Sequence, residues 1–79
     1  MNIKTEKRII MLQETIQHLV KGRVDIDCYN NHCYVQIIKG NFGFTYCLNN
    51  DDLHHFNLSH LSHKIVEEYK GRILEQFIK

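Results

Sequence analysis

Apolar positions along this chain switch from a helical period to strict alternation and back again, and each switch marks an element. Over residues 5–21, Ile9, Leu12, Ile16, Leu19 and Val20 recur at three- and four-residue spacing, the stripe of an amphipathic helix. Glu6 suits the first turn of that helix, and Lys21 followed by Gly22 supplies a stop. From Arg23 to Tyr29 the pattern alternates, with Val24, Ile26 and Cys28 on one face and Asp25 and Asp27 on the other. Asn30-Asn31 tolerates positive φ and suits a two-residue hairpin turn.

That turn sets a register. It pairs Tyr29 with His32, Cys28 with Cys33, Ile26 with Val35 and Val24 with Ile37, so apolar residues always face apolar residues. A slip of one residue would send the whole apolar set to the wrong face. Gly40-Asn41 supplies a second turn of the same length, pairing Ile37 with Phe44, Val35 with Tyr46 and Cys33 with Leu48. The two turns predict one antiparallel meander whose core face is Val24, Ile26, Cys28, Cys33, Val35, Ile37, Phe44, Tyr46 and Leu48.

Beyond Asn49-Asn50 a short turn is expected over residues 51–56, capped by Asn50 or Asp51. A second amphipathic helix then starts near Ser59 as N-cap and carries Leu61, Ile65, Val66, Tyr69, Ile73, Leu74 and Phe77. Gly71 costs about 1 kcal/mol relative to Ala in a helix interior, so a kink or break is expected there. The predicted fold is α+β, a single domain over residues 1–79 in the order helix, three-stranded antiparallel meander, helix (αβββα). Both helices are expected on one face of the sheet, leaving the other face in water.

At 79 residues the chain has room for one modest core, and a domain of this size buries only about 60% of its unfolded surface. Its 43% hydrophobic content is nevertheless enough to argue against disorder. Apolar runs are too short to span a membrane, and no charged-then-apolar leader is visible, so a cytoplasmic location is expected. A net charge of +1 gives no strong field for nucleic acid or lipid. The chain lacks Pro, Trp and Ala while favouring Ile, Asn and Lys, a bias toward AT-rich codons that hints at a bacterial or phage genome. Three cysteines without a leader predict free thiols in a reducing compartment.

Six histidines and three cysteines raise the question of a metal. Zinc sites need paired ligand sets, whereas here the register sends Cys47 to the face opposite Cys28 and Cys33, so no metal or other cofactor is expected. A Cys28–Cys33 disulfide is sterically accessible across the hairpin, but it reads as incidental oxidation. His54, His55, His60 and His63 read as a solvated connection, with a pH-sensing cluster as the alternative. The row Asp27–Tyr34–Cys47 crosses all three strands, yet it lacks a histidine base and lies on a flat sheet. No Gly-rich phosphate loop or metalloprotease helix motif is present, and a non-enzymatic role is expected.

The order helix–strand–strand–strand–helix resembles the topology of double-stranded RNA-binding domains. The resemblance implies a lysine cluster opening the second helix. The matching stretch, residues 59–64, holds only Lys64, so nucleic-acid binding through Lys64, Lys70 and Arg72 is the alternative expectation. The first expectation is a protein-binding module acting through the open sheet face: Asp25, Asp27, Tyr29, His32, Tyr34, Gln36 and Ile38, with Thr45 beside them. In size and element order the chain is similar to phage-encoded inhibitors, including some anti-CRISPR proteins, so its expected partner is a host or defence protein. The third strand is a potential free edge, which also leaves a homodimer open, with Cys47 and Ile38 as its contacts.

Overall fold

Both hairpins close where the alternation requires. The computed structural model describes residues 3–29, 31–55 and 57–78, in the order α1 (Ile3–Val20), β1 (Arg23–Cys28), β2 (His32–Lys39), β3 (Phe42–Asn49), α2 (Asn50–His55) and α3 (Leu58–Ile78). Asn30, Phe56 and the side chains of Asn50, Gln76, Phe77 and Ile78 lie outside the described residues. The strands form one antiparallel sheet with β2 in the centre.

The predicted register holds at every pair: Val24, Ile26 and Cys28 oppose Ile37, Val35 and Cys33, which oppose Phe44, Tyr46 and Leu48 in turn. At the first turn the Tyr29 amide donates to the His32 carbonyl at 2.8 Å. At the second, Gly40 takes φ +62° while Asn41 does not adopt positive φ. Glycine at the first central position is the mark of a type II′ hairpin turn, whose twist matches that of the flanking strands.

Val24, Val35 and Ile37 are fully buried, Cys33 and Leu48 nearly so, and Phe44 almost completely. Ile26, Cys28 and Tyr46 are partly buried at the margins of the same cluster. From the helices come Leu12, Ile16 and Val20 of α1, Leu53 of α2, and Leu61, Ile65, Val66 and Tyr69 of α3, all in one core with that sheet face. The helices α1 and α3 pack on each other, with α1 against β1 and α3 against β3. Arg8 ties α1 to α2 by donating from Nε to the Leu53 carbonyl at 2.8 Å. The buried Ser62 hydroxyl donates to the Leu58 carbonyl one turn back, at 2.7 Å. The Tyr69 hydroxyl is buried without a hydrogen-bond partner among the described residues, and desolvation raises its pKa.

Several local expectations are corrected. Leu19 and Leu74 fall on exposed sides of their helices. The caps are Asn49, whose Oδ1 accepts from the Asp52 amide at 2.9 Å, and Asn57, whose Oδ1 accepts from the Ser59 amide at 2.8 Å. They stand in place of Asp51 and Ser59, because each cap sits just ahead of a helix that begins earlier than its periodicity suggests, and the side chain of Asn50 lies outside the described residues. Gly71 does not end α3: the helix runs on to Ile78, and the glycine is exposed, where its cost is its intrinsic propensity. Lys21, not Gly22, takes the left-handed conformation that closes α1, with φ 53°. Gly22 has a different role, a close approach: a Cβ there would lie 3.1 Å from the Ile38 carbonyl oxygen, a tight contact. Cys28 and Cys33 are joined as a disulfide, against the expectation of free thiols; the register sets them directly opposite, with Cα atoms 4.0 Å apart. Cys47 is the free, exposed cysteine.

Candidate functional site

The face turned away from the core is built in rows across the strands. Arg23, Ile38 and Gly43 form one row, followed by Asp25, Gln36 and Thr45. Next come Asp27, Tyr34 and Cys47, and the row nearest the first hairpin begins His32 and Asn49, with Tyr29 bonded to His32 across the turn. All the residues expected on the open face therefore lie together on it. Period-two geometry does this: once one face is committed to the core, every intervening residue faces outward.

The polar and aromatic groups on this face are not evenly spread. Tyr29, His32 and Tyr34 bring their rings into mutual contact, with centroids 6.1 Å apart for Tyr29–His32, 5.8 Å for Tyr29–Tyr34 and 5.0 Å for His32–Tyr34. Both pairs that include Tyr34 meet edge to face, the arrangement favoured by ring quadrupoles. Tyr29 remains 60% exposed, so the ring trio presents aromatic surface to solvent instead of burying it. Asp27 flanks the trio in the same row as Tyr34, and Asp25 is paired with Arg23, Nε to Oδ2, at 3.0 Å. At the opposite end Ile38 is 39% exposed, because its neighbour across the ladder is Gly43, which offers no side chain to cover it. The result is an aromatic end, an acidic middle and a small apolar end on a flat surface.

The row Asp27–Tyr34–Cys47 also exists as read from the sequence. It lies on the open face of the sheet. Among the described residues no group of three or more His, Cys, Asp or Glu side chains is arranged to hold a metal ion. His54 and His55 lie exposed on α2, where His55 Nδ1 meets the Asp51 carbonyl at 2.8 Å, and His63 is exposed on α3.

Lys64, Lys70 and Arg72 are all exposed on α3, but the structure does not bring them together. At about 100° per residue, Lys64 and Lys70 point about 120° apart, and Lys70 and Arg72 about 160° apart. Lys64 and Arg72 are about 80° apart with Glu68 and Glu75 between them, Glu67 lies between Lys64 and Lys70, and Arg72 already lies 4.0 Å from Glu75. Such a helix has no basic stripe to follow a phosphate backbone. Among the described residues no helix is long and apolar enough to cross a membrane.

Sequence reasoning missed two features. One is the contact of the three rings, which depends on rotamers, although their shared face and adjacency were legible. The other is an open groove of about 520 Å³ beside β3, lined by Phe42, Gly43, Phe44 and Thr45 and by Glu68, Arg72 and Glu75 of α3. Its existence depends on where α3 crosses the sheet, which no local pattern encodes. Comparison with protein families, with characterised proteins and with solved structures gives no match, so the site stands on its own geometry.

Proposed function

We propose that the protein is a non-enzymatic binding module that recognises a partner protein through the open sheet face. The observation that supports this reading most is the ring trio Tyr29–His32–Tyr34 on the open face, with Tyr29 exposed and His32 and Tyr34 half-buried. Rigid aromatic side chains with polar tips give large contact area at low entropic cost, which is why protein interfaces favour them. Asp25 and Asp27 beside the trio, with Gln36 between it and Ile38, add directional acceptors and a small apolar contact to the same surface. The amino-acid usage and small size extend the reading to a phage or mobile-element protein that inhibits or regulates a host or defence protein.

The test is capture of partners from host lysate by the tagged chain, compared with Tyr34→Ala. Tyr34 takes part in both of the closest ring contacts, so its loss disperses the trio. Loss of capture with an unchanged fold is the expected result. Undiminished capture would assign recognition to another surface.

A further inference from the structure

The two edges of the sheet are protected very differently. The Tyr29–His32 hydrogen bond makes that pair a bonded one, and antiparallel alternation then turns the peptide groups of Val24, Ile26 and Cys28 outward along β1. On that edge the Gln13 side chain donates to the outward Val24 carbonyl at 2.8 Å. Arg23, Asp25 and Asp27 add charge along the same strand. On β3 the alternation turns the peptide groups of Gly43, Thr45 and Cys47 outward, and none has a hydrogen-bond partner beyond the sheet among the described residues. This strand, FGFTYCLN, contains no charge, no proline and no bulge. Natural sheets use those very devices to stop an edge from pairing. The groove between β3 and Glu68, Arg72 and Glu75 leaves the edge accessible.

We propose that β3 pairs antiparallel with β3 of a second copy of this chain, about a twofold axis at Thr45, so that the two sheets become one. In this register Thr45 bonds the partner's Thr45, and Gly43 bonds the partner's Cys47. All the outward peptide groups of Gly43, Thr45 and Cys47 are then satisfied. On the core side Phe44 meets the partner's Tyr46, and Phe42 meets the partner's Leu48. Aromatic pairs and threonine pairs are among the favourable cross-strand neighbours, and no like charges meet because β3 carries none. A second copy fits as occupant because the strand is self-complementary: one twofold axis pairs all three outward peptide groups of both strands and sets Phe44 against Tyr46 with no charge on either strand. Tyr46, only half-buried although it belongs to the core face, gains its missing cover from the partner's Phe44. The pairing also joins the two open faces into one surface with a ring trio toward each end.

Light scattering after size exclusion, over a range of concentrations of the full chain, tests this. The expected mass is twice the 9.5 kDa of one chain. Thr45→Pro removes an amide that points away from β2, so it costs no ladder bond within the chain. Thr45→Lys places like charges at the axis. Both variants are expected to be monomers with an unchanged circular dichroism spectrum. In a Cys47→Ser background, Thr45→Cys sets two cysteines at a bonded pair, with Cα atoms about 5.5 Å apart. It is expected to form a covalent dimer on mild oxidation, whereas native Cys47, off the axis, does not cross-link. A chain that stays monomeric up to millimolar concentration overturns the proposal and leaves the edge to a strand of a different protein. So does a dimer that persists in both Thr45 variants, and so does a dimer that Thr45→Cys fails to cross-link.

Discussion

The two faces of this sheet come from the same eight-residue central strand, yet they obey different rules. On one, Cys33, Val35 and Ile37 are buried against three helices, and each has a partner of matching polarity on both neighbouring strands. On the other, His32, Tyr34, Gln36 and Ile38 stay in contact with water and mix aromatic, amide and aliphatic groups. The first face is dictated by folding, since any slip would expose it. The second is constrained only by strand propensity, which Thr, Val or Tyr would satisfy about equally. Aromatic rings gathered there are thus the part of the sequence that folding does not explain.

That contrast can be broken most forcefully from the core side. Ile37→Ala removes a fully buried side chain at the centre of β2 and is expected to cost about 3–4 kcal/mol, read from a denaturant midpoint. Next in size is the disulfide. Reducing Cys28–Cys33 releases a short loop and is expected to cost about 2 kcal/mol, seen by repeating the unfolding curve with a phosphine reductant. An unchanged curve would mean that the hairpin is held by its ladder alone.

Tyr69→Phe acts in the opposite direction. It removes a buried hydroxyl without a partner while keeping the ring between Phe42 and Phe44, and is expected to add about 1 kcal/mol. Burial raises the Tyr69 pKa above its ordinary 10.0, so the fold favours the neutral phenol. The associated stability is fully present below pH 10.0 and is lost as the pH rises through the raised value. The Phe variant should lack that part of the alkaline loss in melts taken from neutral to alkaline pH. The smallest effect is expected on α3: replacing Lys64, Lys70 and Arg72 together by Ala should leave stability within about 0.5 kcal/mol. The same triple variant should leave partner capture unchanged, and a capture that drops with rising salt and with this variant would move the interface to α3.

Much of the fold was legible in sequence because two turns constrain each other. Asn30-Asn31 and Gly40-Asn41 each imply a register, and both registers put the same residues of β2 inside. The open-face residues follow from that parity with no further information. Helix ends were less legible. Asn49, Asn50 and Asp51 are all competent cap types, so composition alone does not single out Asn49, whose Oδ1 accepts from the Asp52 amide. Leu19 reads as apolar stripe, but the contacts of α1 with β1 and α3 rotate it into solvent. The disulfide was visible as an opposed pair, but sequence carries no statement of its redox state. The groove at β3 was invisible because it lies between elements far apart in the chain.

The most direct test of the central claim, that the open-face rings are surplus to folding, is equilibrium unfolding of the Tyr29→Ala/Tyr34→Ala double variant. Removing exposed edge-to-face contacts is expected to cost about 1 kcal/mol, well below the loss from Ile37→Ala. A loss equal to that of Ile37→Ala would make the rings part of the core's stability and remove the reason for assigning them to recognition.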